Sequence, residues 1–270
     1  TLTCDLSALR LTEGSIRTVV DNGIKPVYRL KTALGRTLEA TANHPLYTYK
    51  GWRTLAELRV GDRIAVPRRL PVEGQTEWPE HEVIALAHLL AEGNLRHPHS
   101  VYFYNQDREL VEDYICAAER FPNTRCTLHV HKGTYSVYAR RIDRSEPPGI
   151  VTWAKRLGIW GKRAAEKEIP PAAFELTNRQ IALLIARMWE GDGHINPRER
   201  SLYYATPSRR LARQLQHLLL RLGIVTRLRE APFPHRSGTR TGYQLFITGD
   251  ENIAAFARQV AVHFVKAERR

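Results

Sequence analysis

The chain has 270 residues, 43% hydrophobic and 26% charged, with 41 Lys+Arg against 28 Asp+Glu and a formal net charge of +13. That length accommodates one large domain or two smaller ones, each with its own core. No apolar run approaches the roughly 18–20 residues that cross a bilayer, and no signal peptide opens the sequence, so a cytoplasmic protein without membrane contact is expected.

The basic excess favours a polyanionic partner, nucleic acid first among them, over a merely charge-rich surface. Its distribution supports this. Residues 193–270 carry 14 Lys+Arg against 5 Asp+Glu, a net of +9, whereas residues 76–192 carry 15 against 16. Cys4, Cys116 and Cys126 show no metal-ligand spacing and suggest a reducing compartment.

In chain order, β-branched runs come first. Ile16–Val20, Val27–Thr32, Thr37–Thr41 and Arg63–Val66 are separated by the turn signals Asp21-Asn22-Gly23, Leu34-Gly35 and Val60-Gly61-Asp62. They predict an all-β unit over residues 1–75, ending in a linker-like stretch from Pro67 to Pro79. Helical periodicity then appears at Val83–Ala91, Arg108–Arg120, Asn178–Trp189 and Ser208–Leu222, with strand-like segments between. Residues 76–270 form the second domain.

That second part repeats itself at an offset of about one hundred residues. Leu86-Ala87-His88-Leu89-Leu90-Ala91-Glu92-Gly93 aligns with Ala186-Arg187-Met188-Trp189-Glu190-Gly191-Asp192-Gly193, and Tyr102-Phe103-Tyr104 with Leu202-Tyr203-Tyr204. Tyr135-Ser136-Val137-Tyr138 aligns with Tyr243-Gln244-Leu245-Phe246. Each half, about 80–165 and 166–270, reads helix, two strands, helix, two strands, helix (αββαββα), which predicts a pseudo-two-fold α+β domain.

In both halves an apolar helix ends in an acid followed by glycine: Glu92-Gly93 and Asp192-Gly193. A carboxylate at a helix C-terminus opposes the macrodipole and calls for a compensating cation. If the helices pair, Glu92 and Asp192 meet at the two-fold axis. Two carboxylates with few other protein ligands suit Mg2+, which keeps waters and takes phosphate oxygens, and metal-assisted phosphodiester hydrolysis needs that arrangement.

These paired segments resemble the signature helices of LAGLIDADG homing endonucleases of the kind found inside inteins. Glu166-Lys167-Glu168-Ile169-Pro170 is similar to the basic block before the second helix, and the resemblance implies that Lys167 is a basic catalytic residue. Residues 208–224 resemble the family's later helical block. One departure is Glu92, where the family more often has Asp. The resemblance further implies an antiparallel sheet in each half following the major groove of double-stranded DNA, with Arg140, Arg141, Arg227, Arg229, Arg236 and Arg240 as contacts.

Thr41-Ala42-Asn43-His44-Pro45, Gly51-Trp52 and Val60-Gly61-Asp62 resemble the Thr-x-x-His block of the Hint domain that performs intein splicing, and residues 24–67 are especially like inteins of bacterial replication proteins. The resemblance implies that Thr41 and His44 activate the N-terminal scissile peptide bond. Cys4 does not fit the nucleophile that opens such a domain, and no terminal His-Asn pair closes it, so this stretch is expected not to splice alone. The expected molecule is thus a partial Hint domain followed by a monomeric, Mg2+-dependent, site-specific endonuclease acting on the intein-free host gene. Remaining intein segments and exteins would be its other partners. Two alternatives stay open: a DNA-binding remnant with a decayed nuclease, or a splicing element whose inserted domain is only structural.

Overall fold

The computed structural model describes residues 1–196, 201–235 and 238–266, so Arg236 among the expected DNA contacts lies outside the described residues. The chain divides into two compact units, Thr1–Pro71 and Val72–Arg270.

The first unit consists of three antiparallel hairpins. β1 (Leu2–Asp5) pairs with β2 (Arg10–Glu13), β3 (Val27–Lys31) with β4 (Thr37–Thr41), and β5 (Pro45–Thr48) with β6 (Gly51–Thr54). The β3–β4 turn closes through Gly35, whose φ of 81° and N–H bond to the Thr32 carbonyl (2.9 Å) require its missing side chain. The expected strand at Ile16–Val20 does not form, and from Arg63–Val66 only Ile64 bridges, to Thr48. A β-branched run becomes a strand only with a partner to pair against, and Ile16, Val19 and Val20 instead lie exposed. Among the described residues of this unit, Ala40 is the one buried apolar side chain.

The second unit has a continuous core, and each half has the expected element order. The first half runs α1 (Glu80–Glu92), β7 (Gly93–Asn94), β8 (Tyr102–Asn105), α2 (Arg108–Ala118), β9 (Thr124–His131), β10 (Thr134–Arg141) and α3 (Gly149–Arg156). The second runs α4 (Asn178–Asp192), β11 (Gly193–Asn196), β12 (Ser201–Thr206), α5 (Arg209–Arg221), β13 (Thr226–His235), β14 (Gly238–Ile247) and α6 (Asp250–Gln259). The sheets are ordered identically, β7-β8-β10-β9 and β11-β12-β14-β13, and every pairing is antiparallel.

Local chemistry explains these limits. Asp107 caps α2 by accepting from the N–H groups of Glu109 and Leu110, and Ser208 caps α5 by accepting from Leu211 N–H. These caps lie 101 positions apart, whereas Glu92 and Asp192 lie 100 apart, so the repeat gains one residue between helix and strand. The sequence alignment of β8 with β12 therefore shifts by one. Phe103, opposite Val137, corresponds to Tyr204, opposite Leu245.

α1 and α4 pack against each other and bury most of their surfaces, from Val83 to Leu90 and from Gln180 to Glu190. Their crossing is tight at the repeat-related pair Ala91 and Gly191, where a Cβ on Gly191 would stand 2.9 Å from the Ala91 methyl. Gly191→Ala should therefore cost about 1–3 kcal/mol in unfolding free energy through overpacking. Denaturant titration reads this, and an unchanged midpoint would disprove the close approach.

The stretch expected to be a linker is fixed beyond Pro71. Asn178 N–H donates to Glu73 Oε1 (2.6 Å), Thr76 N–H to the Glu175 carbonyl (3.1 Å), and Trp78 and Gln180 exchange two hydrogen bonds of 2.9 and 2.6 Å. The buried Arg221 guanidinium anchors the same region by donating to the carbonyls of Phe174 (2.6 Å) and Leu176 (3.0 Å).

Candidate active site

Each acid stands where a helix runs into the first strand of its sheet with no loop between. Gly93 and Gly193 are extended, with φ of −74° and −87°, and not left-handed as a usual helix-ending glycine would be. Glycine is required for room. A Cβ at 93 would fall 2.6 Å from the Leu89 carbonyl oxygen, and at 193 only 2.2 Å from that of Trp189.

The structure brings Glu92, Asp192 and Lys167 together. Burial pushes the Glu92 carboxyl up to about 7, helped by the charge of Asp192, while Asn105, Lys167 and Lys266 pull it back. Burial also raises Asp192, against Lys167 and the Tyr204 hydroxyl, which donates to Asp192 Oδ2 at 3.1 Å. Lys167 is itself buried; desolvation lowers it to about 8 although both carboxylates favour its charge. Its ammonium donates to the Ala91 carbonyl at 2.9 Å.

Three participants escaped the sequence reading. Asn105, at the end of β8, donates its amide to Glu92, while Tyr204 on β12 serves Asp192. Lys266 is the third. The chain after α3 carries Lys167 to the start of α5, where Ser208 Oγ donates to the Lys167 carbonyl at 2.7 Å. The chain after α6 carries Lys266 to the start of α2, where its ammonium pairs with Asp107. Asp107 and Ser208 are equivalent caps, so each half's trailing segment delivers a lysine to the other half. Glu190 holds the second segment by accepting from Val265 and Lys266 N–H, both at 2.9 Å. The unequal spacing of acids and caps was the available signal for Tyr204; nothing local announced Lys266.

Two adjacent, half-buried carboxylates at helix C-termini form an all-oxygen donor pair that fits Mg2+. Among the described residues no group of three or more His, Cys, Asp or Glu gathers around such a point, so backbone carbonyls, water and phosphate would supply the remaining ligands.

The raised Glu92 value has a consequence for stability. Between 4.5 and about 7 the folded chain keeps a proton that the unfolded chain has released. Its contribution is therefore full below pH 4.5 and is lost as pH rises through 7. The interval is worth roughly 3 kcal/mol, reduced to about 2 kcal/mol by partial exposure. Metal-free thermal unfolding from pH 5 to pH 8 should show this decline, Glu92→Gln should remove it, and Mg2+ should stabilise the wild type at pH 8 but not at pH 5.

The expected arginine contacts fall on different faces. Val137 and Leu245 point into the core, so the opposite, open faces carry Arg140 in the first sheet and Arg227, Arg229 and Arg240 in the second. Arg141 has the other parity and donates to the Arg144 carbonyl at 3.1 Å in the following turn. In the first unit, Thr41 and His44 bracket the turn that ends β4: His44 N–H donates to the Thr41 carbonyl (3.0 Å), the Thr41 hydroxyl to Asn43 Oδ1 (2.7 Å), and the imidazole is exposed. Among the described residues no helix is long and apolar enough to cross a membrane, and all three cysteines are free.

Comparison with known proteins finds similarity to part of this geometry. Residues 179–261, nearly the whole second half, match the LAGLIDADG-like domain family, and the first half repeats its element order. Several curated relatives match over most of the chain, two of which illustrate the range. It is 35% identical over 262 residues to the replicative DNA helicase DnaB of Rhodothermus marinus, covering 93% of this chain and 28% of that protein. It is 30% identical over 259 residues to protein RecA of Mycobacterium tuberculosis, covering 89% of this chain and 32% of that protein. The chain thus spans under a third of the curated relatives it matches. Among solved structures it is similar to the homing endonuclease I-DmoI in complex with its target DNA and in the presence of manganese, at 11% identity and a TM-score of 0.48, covering 68% of this chain and 94% of that one.

Proposed function

We propose that the chain belongs to an intein: a site-specific, Mg2+-dependent DNA endonuclease joined to Hint-type splicing residues. The observation carrying the nuclease reading is the convergence of Glu92 and Asp192 beside Lys167. The intein reading draws on the relatives. One segment of about 260 residues recurs within proteins as different as DnaB and RecA while filling under a third of each, as a mobile insertion would. These 270 residues contain no Gly-x-x-x-x-Gly-Lys-Ser/Thr phosphate loop, so helicase motor chemistry is not what this segment contributes.

In this mechanism Glu92 and Asp192 would hold the metal, which would supply water activation and charge neutralisation at the leaving oxygen. Asn105 and Tyr204 fix the two carboxylates by hydrogen bonds. Lys167, beside both acids, stabilises charge developing on the phosphate, and Lys266 holds the corresponding place in the other half. Arg140, Arg227, Arg229 and Arg240 contact the duplex from the open sheet faces. Thr41 and His44 belong to the splicing chemistry, as hydroxyl and imidazole beside the scissile bond.

The test is incubation of the chain and Mg2+ with duplex DNA carrying the intein-free host gene, followed by mapping of cuts on both strands. A cut at the insertion point supports the reading, and absence of any cut with retained specific binding selects the second one. That second reading, a DNA-binding remnant, is favoured by one observation: the first helix ends in Glu92 where its counterpart ends in Asp192.

A further inference from the structure

Across the open face of each sheet runs a ladder of planar side chains with one member at or beside every strand. In the first sheet His97, just after β7, lies 4.8 Å from Tyr102 on β8 between ring centroids. Tyr102 stacks on Tyr138 of β10 at 5.4 Å, and Tyr138 stacks on His129 of β9 at 5.6 Å with planes within 5°. In the second sheet His194 on β11 stacks on Tyr203 of β12 at 4.7 Å, and Tyr203 meets Phe246 of β14 at 5.1 Å. The ladder ends on β13, where the Arg229 guanidinium lies 5.7 Å from the Phe246 ring centre.

The ends are equivalent by register. His129 pairs with Ser136, two residues before Tyr138, and Arg229 pairs with Gln244, two residues before Phe246. The two halves therefore place different chemistry at one symmetry-related point. A guanidinium held against an aromatic ring has already lost much of its rotamer freedom, so its fork is pre-set for bidentate hydrogen bonding. In the major groove that fork matches guanine O6 and N7. An imidazole at the same point offers two ring nitrogens and no fork.

We infer that the two ladder ends set different base requirements, with Arg229 demanding guanine in one half-site and His129 imposing no such demand at the related position of the other. The inference rests on the proposed reading of the chain as a site-specific binder of duplex DNA. Neither residue belongs to the candidate active site, and both are exposed, so substitution leaves the core intact.

The experiment is selection from a random-sequence duplex library without metal, using wild type, Arg229→His, Arg229→Lys and His129→Arg. The wild-type consensus should contain one guanine that both Arg229 variants cease to require, with a loss of roughly 5–150-fold on the wild-type site. Arg229→Lys should keep the wild-type salt dependence, since its charge remains. His129→Arg should gain a guanine at the symmetric position and make the consensus more palindromic. The inference is overturned if all three variants return the wild-type consensus with only a uniform loss of affinity. If the wild type enriches no sequence at all, the site-specific reading itself fails, a result distinct from the variants failing to differ.

Discussion

Asp192→Asn is expected to abolish strand cleavage while leaving duplex affinity within a few-fold of wild type. Asn keeps the shape of the side chain and can still accept from the Tyr204 hydroxyl, so the packing around Trp189 and Gly193 is undisturbed. What disappears is one of the negative charges that would hold a divalent cation at the two helix C-termini, whose dipoles also favour it. Loss of an outer-shell partner of a metal typically costs about 10–100-fold, and loss of the ligand itself should exceed that. Glu92→Gln should act in the same direction, and the pair combined should cost little more than either alone, because both serve one centre. Single-turnover cleavage and filter binding on the same duplex separate the two effects. Retention of wild-type cleavage by both variants would remove Glu92 and Asp192 from the mechanism. Equal loss of binding and cleavage would make them fold residues.

The acids were legible in the sequence because an acid followed by glycine recurs at the end of two matched apolar helices. The helices were legible because 3.6-residue periodicity survives in long segments, with Asp107 and Ser208 marking the starts of α2 and α5. The details around the acids were not, for three physical reasons. Asn105 and Tyr204 reach their carboxylates only through strand register, and one extra residue in the second half moves the register without altering composition. Lys266 arrives through a segment that crosses to the other half. The glycines look like helix terminators yet serve to avoid the carbonyls of Leu89 and Trp189. In the first unit the Ile16–Val20 run shows that β-propensity without a neighbouring strand specifies nothing, while the β5–β6 hairpin forms around Gly51 with weaker propensity. Arg140 and Arg141 were grouped as neighbours in sequence, although strand alternation alone puts them on opposite faces.

Asp113→Leu should produce the largest loss of stability of any single change considered, about 3–5 kcal/mol, by breaking a buried charge pair from one side. Asp113 on α2 accepts from His88 of α1 and from Arg187 of α4, both at 2.8 Å, and Arg187 also donates to the His263 carbonyl. One carboxylate thus ties three helices and the segment leading to Lys266. Burial pushes Asp113 up, but the bonds from His88 and Arg187 outweigh it and hold the carboxyl below its ordinary value of 3.8. His88, whose ring is fully enclosed, is lowered by burial against the pull of Asp113, so it stays neutral and donates its Nε2–H. A depressed acid contributes stability above its unfolded pKa and loses it as pH falls through the folded value, so the wild type should weaken below pH 4. Asp113→Leu should weaken less there, because that carboxylate is gone. Removing Asp113 leaves the Arg187 guanidinium and the His88 donor without their carboxylate partner, whereas a triple change, Asp113→Leu with Arg187→Met and His88→Leu, removes both charges and gives up only the donor to the His263 carbonyl. The triple variant should therefore recover most of the loss in urea unfolding. If Asp113→Leu alone proved neutral, the network would be ornamental, and helix packing by itself would set the spacing of Glu92 and Asp192.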